Sequence, residues 1–353
     1  YEIASCLVGS EMCIRDSFDA VRFPVIGKIY PDSLPFFSRI PYFLKPTTRE
    51  AVWNLGQNSA GIAVRFRSDS PVIAVKWENT FNNSMKHMAP VGIKGLDLYC
   101  FIDGKWRFMN SAQPSGKTNQ WQIISGMDAT EREYMLYLPL YDGIHSLQIG
   151  VAAPSHIGQP SLPYPDTRKP IVFYGSSITQ GACASRPGMA ATNLIGRKLN
   201  VETINLGFSG NAFIDYEVAE MMAHVDASAY VLDYVPNASP EQILEKTEKF
   251  VRILREKHPD VPLIFVEDPI FPHSKFDLRM AKEIKDKNDA MNQAFSSLKK
   301  QGLKKIYLVK GRSLISANGE STVDGIHFTD CGFEQYVDAI LPILKKAINH
   351  KKK

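Results

Sequence analysis

The chain has no hydrophobic run long enough to cross a membrane, few cysteines and only a small excess of charge. Of its 353 residues 44% are hydrophobic and 22% are charged, with a net charge of +4 and 5 cysteines. A membrane span needs about 18 or more apolar residues in succession, which this sequence nowhere provides. The mild charge, without a basic stripe or zinc-knuckle spacing, argues against a nucleic-acid partner. The composition is that of an ordinary globular protein with room for two domains.

The first 17 residues, YEIASCLVGSEMCIRDS, lack the basic start, continuous apolar core and small-residue cleavage site of a signal peptide. EMCIRDS looks like the in-frame translation of a sequencing-library adapter, so we expect residues 1–17 to be a non-native leader. Beyond it the cysteines are Cys100, Cys183 and Cys331. Their odd number and the lack of a CxxC pair predict neither a disulfide framework nor a zinc site.

From about residue 45 to 152, within a predicted domain over residues 18–155, the chain has short runs rich in aromatic and β-branched residues, separated by turn residues. The runs are AGIAVRFRS, PVIAVKWEN, LDLYCFIDGKWRFMN, REYMLYLPLY and HSLQIGVA. The Asp103-Gly104 pair inside the third run is a strong signal for a tight hairpin. Short strands at this spacing, with no long amphipathic helix, predict an antiparallel β-sandwich of the jelly-roll kind.

A proline-rich stretch, residues 156–169, predicts a linker to a second domain over residues 170–350. In that domain five apolar runs, PIVFYG, VETINLG, AYVLDYV, PLIFVED and KIYLVKG, do not alternate with polar residues, which is typical of parallel strands covered on both faces. Helical patterns separate them, and the clearest begins at Ser239 with a capping-box spacing to Gln242. We expect a doubly wound α/β domain, which binds ligands at the carboxyl ends of its strands.

Residues suited to nucleophilic catalysis follow these predicted strands. They are the serines of YGSSITQG, the turn NLGFSGN, Asn237 in LDYVPNAS, and Asp324 with His327 in TVDGIHFTD. Serine needs a base to take its proton, for which histidine is suited, and an acidic side chain orients that histidine. Backbone amides and the Asn237 carboxamide can donate hydrogen bonds to an oxyanion. Each motif alone is more often structural, but their order at one sheet edge favours catalysis.

The ordered blocks resemble those of the SGNH, or GDSL-type, hydrolases over roughly residues 168–350. This resemblance implies a flavodoxin-like α/β/α fold with a five-stranded parallel sheet. In the family the second residue after the first block's opening glycine is the nucleophile, which implies Ser177 for this role. Ser176 stands where the family has an aspartate. We expect this departure to loosen the hydrogen bonding of the turn and to spare the nucleophile.

The remaining blocks imply the other catalytic roles. By resemblance His327 is the base, Asp324 orients it, and the oxyanion hole consists of the Ser177 and Gly210 amides with the Asn237 carboxamide. The usual glycine-rich third block is here VPNAS, so only its asparagine carries over. Because every chemical role is filled, we expect an active enzyme with neither a cofactor nor a metal.

The segment GIKGLDLY resembles the Gly-x-Asp-Leu-Tyr motif of a β-sandwich domain that precedes SGNH-type esterases, mostly in Bacteroidetes-like bacteria. The resemblance covers about residues 20–155. Relatives of this layout include carbohydrate esterases that remove acetyl groups from plant polysaccharides. The resemblance implies a periplasmic or extracellular location, with the cytoplasm as an alternative.

The expected function is that of a serine esterase that hydrolyses short-chain, above all acetyl, esters on a carbohydrate or other small molecule through an acyl-enzyme. One alternative is a lysophospholipase or thioesterase. Another is a glycan-binding protein with an inactive SGNH domain. Two further features stay open: residues 79–99 form either a surface hairpin or one wall of the substrate cleft, and His273 follows a strand and can line the pocket.

Overall fold

The computed structural model describes residues 14–163 and 169–349. Its N-terminal part has ten strands in two antiparallel sheets, with strand orders β1-β9-β4-β7 and β10-β3-β8-β5-β6, and β2 pairs with β3. The strands are β1 (Ile14–Asp19), β2 (Val25–Ile26), β3 (Ala63–Ser68), β4 (Ile73–Asn79), β5 (Leu96–Ile102), β6 (Lys105–Ala112), β7 (Thr118–Ile124), β8 (Arg132–Tyr137), β9 (Ile144–Ala152) and β10 (Ile157–Gly158). The helices are α1 (Glu50–Gly56) and α2 (Pro90–Lys94), with 3-10 turns at Ala20–Arg22 and Tyr42–Thr47.

The two sheets pack face to face and confirm the predicted sandwich. One cluster of buried apolar side chains has members from both, such as Phe66 in β3 and Trp77 in β4. Such a shared core forms because each strand turns one face towards the opposite sheet. The predicted hairpin joins β5 to β6, and Asp103 and Gly104 have the positive φ values of 53° and 73° that a two-residue turn of this kind requires.

Two strands lie in stretches for which the sequence predicted a leader and a linker. β1 includes residues 14–17 and pairs with β9, and β10 lies within residues 156–169 and pairs with β3. The rest of the predicted leader, residues 1–13, and residues 164–168 of the predicted linker lie outside the described residues. The domain boundaries therefore stay predictions.

The C-terminal part is an α/β domain whose five strands are all parallel, in the order β12-β11-β13-β14-β15. The strands are β11 (Ile171–Gly175), β12 (Thr203–Gly207), β13 (Ala229–Asp233), β14 (Leu263–Val266) and β15 (Ile306–Val309). The helices are α3 (Ser177–Gln180), α4 (Ala191–Leu199), α5 (Tyr216–Ala223), α6 (Pro240–Lys257), α7 (Leu278–Lys300) and α8 (Asp330–Asn349), with 3-10 turns at Pro187–Met189, Pro272–Lys275 and Gly311–Ser313. All five predicted strands are present, and Ser239 with Gln242 forms the predicted capping box.

The parallel sheet is buried on both faces, as its apolar strands predicted. In β11 the side chains of Val172 and Tyr174 join the buried cluster that includes α5 and α6, whereas Ile171 and Phe173 join the cluster that includes α4 and α8. The chain order reverses at β11, which lies between β12 and β13. The carboxyl end of such a strand opens into a crevice, because its two neighbouring connections run to opposite faces of the sheet.

The Gly-x-Asp-Leu-Tyr motif lies where the two halves meet. The fully buried carboxylate of Asp97 accepts hydrogen bonds from the Arg186 guanidinium (2.9 Å), the Gly188 amide (2.7 Å) and the Ser111 hydroxyl (2.7 Å). Arg186 also donates to the Tyr99 hydroxyl at 2.6 Å. The aspartate and tyrosine of the motif therefore hold the loop that follows α3 in the α/β domain.

Candidate active site

Ser177 begins α3, directly after the turn that ends β11. The hydroxyl of Ser176 caps this helix by accepting a hydrogen bond from the Ile178 amide at 3.3 Å. The turn is tight, because a Cβ atom on Gly175 would lie 2.2 Å from the Thr179 hydroxyl. Only glycine fits there, which explains on steric grounds why a glycine opens the first block. The turn leaves Ser177 only 6% exposed at the carboxyl edge of the sheet.

Asp324 and His327 lie on one tight turn before α8. The Asp324 carboxylate accepts hydrogen bonds from the amides of Ile326 (3.1 Å) and His327 (2.8 Å) and from Nδ1 of His327 (2.7 Å). Partial burial alone would raise the pKa of Asp324, but these hydrogen bonds outweigh it and lower the pKa to about 2. Asp324 is therefore an anion at neutral pH and fixes the proton of His327 on Nδ1.

The turn of Ser177 and the turn of His327 are in contact, although these two residues lie 150 positions apart in the sequence. Nε2 of His327 lies 3.0 Å from Oγ of Ser177. The Ser177 hydroxyl donates a hydrogen bond to that nitrogen. With Nδ1 protonated, Nε2 carries the lone pair and can accept a proton. The structure thus brings Ser177, His327 and Asp324 into one hydrogen-bonded chain. This geometry suits a general base acting on a serine hydroxyl.

The predicted oxyanion donors follow the strands on either side of β11. Gly210 lies in the exposed turn after β12 with φ of 65°, and Asn237 follows β13. Within the described part of the chain, the backbone amides of Ser177 and Gly210 donate a hydrogen bond to no protein group. The Asn237 carboxamide oxygen accepts from the Ala212 amide at 3.3 Å, which leaves its NH₂ group available as a donor. Their catalytic roles remain predictions.

Several residues that support the turn at Gly210 were not found by sequence reasoning. The buried Gln180 side chain accepts from the Ser209 amide at 3.0 Å and donates to the Leu140 carbonyl of the sandwich at 3.1 Å. Arg49, from the start of α1, donates to the side chain and the carbonyl of Asn211, at 2.8 Å each. The N-terminal half therefore helps to hold the turn that carries a predicted oxyanion donor.

A buried carboxyl lies behind the nucleophile. Asp233, at the end of β13, accepts hydrogen bonds from the hydroxyls of Thr179 (2.8 Å) and Tyr336 (2.7 Å). Burial raises the pKa of Asp233 to about 7, although these two hydrogen bonds oppose the rise. Thr179 belongs to α3, so Asp233 ties the helix of Ser177 to α8.

The segment 79–99 of the sandwich reaches the site. The ring of His87 lies beside that of His327, with 5.3 Å between the ring centres. The His87 carbonyl accepts from the Cys183 thiol at 3.3 Å, and Cys183 follows α3. Burial raises the pKa of the Cys183 thiol to about 12 and nearby Asp324 adds to the rise, so the thiol is not a competing nucleophile. His87 carried no recognisable motif of its own.

His273, which the sequence analysis named as a residue that can line the pocket, contacts the turn of Asp324 and His327. His273 lies in the 3-10 turn after β14 and packs against Gly325, since a Cβ atom on that glycine would lie 3.1 Å from Nδ1 of His273. Gly325 has φ of 92° and belongs to the turn that joins Asp324 to His327. His273 thus packs against the turn of Asp324 and His327, and its place in the substrate pocket stays a prediction.

Comparisons with known proteins identify the family of the chain. A family model described as the GDSL-like lipase/acylhydrolase family matches residues 168–345. A solved GDSL-like lipase from Bacteroides ovatus ATCC 8483 is 38% identical, with 95% of this chain and 98% of that chain covered and a TM-score of 0.91. The chain belongs to the GDSL-like lipase/acylhydrolase family. A second model, described as the N-terminus of SGNH-hydrolase-type esterases, matches residues 17–157 of this esterase.

More distant solved structures share the fold. A salicylyl-acyltransferase from a tetracycline biosynthetic pathway is 16% identical, with 92% of this chain and 95% of that chain covered and a TM-score of 0.74. A family two carbohydrate esterase from Clostridium thermocellum, solved with cellohexaose, is 12% identical, with 82% and 93% covered and a TM-score of 0.57. No curated protein matches the chain.

The enzyme class and the two-part fold predicted from the sequence are thus confirmed. Across residues 14–163 and 169–349, no helix of this esterase combines the length and the apolar character that a membrane crossing requires.

Proposed function

We propose that this esterase removes short acyl groups, above all acetyl, from a carbohydrate or another small-molecule ester. Ser177 is the nucleophile, His327 the general base and Asp324 the residue that orients it. The observation that carries the proposal is the unbroken hydrogen-bonded chain, with 2.7 Å from Asp324 to Nδ1 of His327 and 3.0 Å from Nε2 to the Ser177 hydroxyl.

The geometry supports a two-step reaction. Oγ of Ser177 attacks the ester carbonyl while Nε2 of His327 takes the hydroxyl proton, and the carbonyl oxygen becomes an anion. The amides of Ser177 and Gly210 and the NH₂ group of Asn237 donate to that anion. The tetrahedral intermediate collapses and the alcohol leaves with the proton from His327. Water, activated by the same nitrogen, then attacks the acyl-enzyme and releases the acid.

The surroundings of Ser177 favour a short acyl group. The serine is only 6% exposed, and His87 and Cys183 occupy the space beside His327. A long acyl chain needs an extended apolar channel to cover it, since each buried methylene contributes about 0.8 kcal/mol. Neither a polar imidazole nor a small thiol supplies such a channel. An acetyl group needs only the space next to the oxyanion donors.

A carbohydrate leaving group is suggested by the segment that leads to His87. There Phe81 is 47% exposed, and the neighbouring Asn82 and Asn83 are exposed as well. Apolar ring faces and amide groups are the chemistry that binds sugars, whose rings have apolar faces and hydroxylated edges. Carbohydrate esterases from Clostridium thermocellum and Cellvibrio japonicus share the fold. We therefore propose that the sandwich holds the sugar while the α/β domain performs the hydrolysis.

We also propose a sandwich domain over residues 18–155, to which β1 and β10 add residues 14–17 and 157–158, and a catalytic domain over residues 170–350 that follows a linker within residues 156–169. A glycan substrate would place the esterase in the periplasm or outside the cell. The proposed steps need no cofactor and no metal, since the protein supplies both the nucleophile and the oxyanion donors.

A substrate panel tests the proposal. Chromogenic acetate and longer-chain esters, O-acetylated oligosaccharides, an acyl thioester and a lysophospholipid are each assayed with the wild type and with Ser177→Ala as the matched blank. We expect the highest kcat/KM on acetylated oligosaccharides and only background rates with the variant. A preference for the thioester or the lysophospholipid would replace the proposed substrate class. Turnover of none of them, with retained binding of oligosaccharides, would indicate an inactive glycan-binding protein.

A further inference from the structure

Three side chains with metal-binding atoms converge beside the nucleophile. His87 comes from the sandwich, Cys183 from the loop after α3, and His327 from the turn before α8. One ring nitrogen from each histidine and the sulfur of Cys183 all lie within 4.8 Å of one another. Cys183 is buried, and the two histidines are half-buried. No sequence spacing indicates this cluster, because its members lie 96 and 144 positions apart.

The set of donor atoms matches a particular class of ion. Imidazole nitrogen and thiolate sulfur together are ligands of Zn²⁺ and related divalent transition metals, whereas Mg²⁺ and Ca²⁺ prefer oxygen. Asp324 already holds Nδ1 of His327 at 2.7 Å, so Nε2 is the nitrogen left to bind a metal. A carboxylate behind a histidine ligand is the usual support of a zinc-binding imidazole, since it fixes the ring and raises its basicity.

We propose that His87, Cys183 and His327 form a site for Zn²⁺ or a similar divalent transition metal, and that the bound ion switches the esterase off. The switching rests on the proposed function. A metal on Nε2 of His327 takes the lone pair that would accept the Ser177 proton, so the serine is not activated. The Cys183 thiol loses its proton to solvent as the sulfur–metal bond forms, and a water molecule or the Ser177 hydroxyl completes a tetrahedral set.

The site needs a small closure to bind the ion. With metal–nitrogen distances of about 2.0 Å and metal–sulfur distances of about 2.3 Å, ligand atoms in a tetrahedral site lie about 3.5 Å apart. The ligand atoms of the cluster lie within 4.8 Å of one another, so the side chains need to draw together by at most roughly 1 Å. Rotation of the Cys183 side chain away from the His87 carbonyl, to which it donates at 3.3 Å, provides such a movement. Because only coordination bonds hold the ion, we expect a chelator to reverse the inhibition.

Binding is tested separately from activity. The metal-free protein is titrated with Co²⁺, a spectroscopic substitute for Zn²⁺, and the thiolate-to-cobalt charge-transfer band is recorded. We expect the band in the wild type and in Cys331→Ser, which removes an exposed cysteine, and its loss in Cys183→Ser. His87→Gln tests the site without changing the cysteine and should weaken Co²⁺ binding at least about tenfold, since loss of even a residue that only supports a ligand has such an effect. Absence of the band from the wild type would overturn the proposal.

Inhibition is tested with Zn²⁺ and a chromogenic acetate. We expect Zn²⁺ to abolish turnover and excess chelator to restore it. Cys183→Ser, with its turnover expressed relative to its own metal-free rate, should need at least about tenfold more Zn²⁺ for half-inhibition, because one of the three ligands is lost. Equal Zn²⁺ sensitivity of the wild type and Cys183→Ser would place the inhibitory ion elsewhere and overturn the switch. A cobalt band in a protein that hydrolyses no ester would leave the metal site standing and would contradict the proposed function instead.

Discussion

Ser176 and Ser177 are adjacent, yet their hydroxyls have different partners. Oγ of Ser177 lies 3.0 Å from Nε2 of His327, whereas Oγ of Ser176 accepts from the Ile178 amide and caps α3. One hydroxyl is thus placed for chemistry and the other for helix stability. The two serines differ in this way because they occupy successive positions of one turn, and Gly175 before them fixes the backbone of that turn.

We therefore expect Ser177→Ala to lower kcat by about 10⁶-fold, the scale on which loss of a serine nucleophile acts. Ser176→Ala should keep much of the activity and lower the free energy of unfolding by about 1 kcal/mol through the lost cap. Steady-state kinetics and urea unfolding measure the two effects. Comparable losses of activity in two stably folded variants would contradict the assignment of a single nucleophile.

Asn237 tests the oxyanion hole. Asn237→Ala should lower kcat by about 10²- to 10³-fold with little change in KM, because the anionic oxygen exists only in the transition state and the intermediate. Kinetics on a chromogenic acetate suffice for the measurement. If KM rose and kcat held, Asn237 would bind the substrate in its ground state instead.

At the level of elements, the sheet and α8 fix the position of α3. Asp233 at the end of β13 binds Thr179 of α3 and Tyr336 of α8, and it is almost fully buried. Its raised pKa, about 7, means that the folded protein holds a proton on this carboxyl at pH values where the unfolded chain has lost it. The native state is then favoured at low pH, and this contribution declines as the pH rises from about 4 to about 7.

Asp233→Asn should remove that part of the pH dependence. The free energy of unfolding of the variant minus that of the wild type should rise by on the order of a few kcal/mol from pH 4 to pH 8, because asparagine does not ionise. Urea unfolding at several pH values measures the change. Asp338→Asn, an exposed substitution on α8, is the control and should show no such gain. A constant difference between Asp233→Asn and the wild type at all pH values would contradict the argument.

At the scale of the whole molecule, the sandwich and the α/β domain form one structure around the site. Asp97 binds Arg186 and the Gly188 amide across the contact, and Arg39 from the N-terminal half donates to the Gly207 carbonyl at the end of β12. The motif that marks the N-terminal domain in sequence therefore acts on the loop behind Ser177.

Asp97→Ala should lower the free energy of unfolding by about 3 kcal/mol, since it leaves the Arg186 guanidinium and a buried amide without their carboxylate. Ser111→Ala, which removes only one neutral donor to the same carboxylate, is the matched control and should cost about 1 kcal/mol. Urea unfolding compares the two. Equal effects would show that the contact between the halves adds no stability beyond an ordinary hydrogen bond.

His87 tests whether the sandwich contributes to substrate binding. His87→Ala should lower kcat/KM for an O-acetylated oligosaccharide much more than for a small chromogenic acetate, because the small ester needs only Ser177, His327 and the oxyanion donors. His145→Ala, an exposed change in β9 of the same domain, is the control. Equal effects of His87→Ala on both substrates would argue against this part of the sandwich as a wall of the cleft.

The sequence by itself determined the elements and the order of the blocks. Runs of apolar residues that do not alternate predicted all five parallel strands, and a capping-box spacing located the start of α6. These signals are local, since a buried strand or a helix start depends on residues only a few positions apart. The four blocks were recognisable for the same reason, and the family they resemble is the one to which the chain belongs.

Only the tertiary structure decided which distant side chains meet. The pairing of β1 with β9, the contact of Asp97 with Arg186, and the positions of His87 and Cys183 beside His327 join parts of the chain that lie many residues apart. His87, Cys183 and Arg186 have no local signal, because a lone histidine, cysteine or arginine has the same neighbours in sequence whether it faces solvent or a site. Their roles depend on how the sandwich packs on the α/β domain, and that packing is set by the shapes of two complete surfaces.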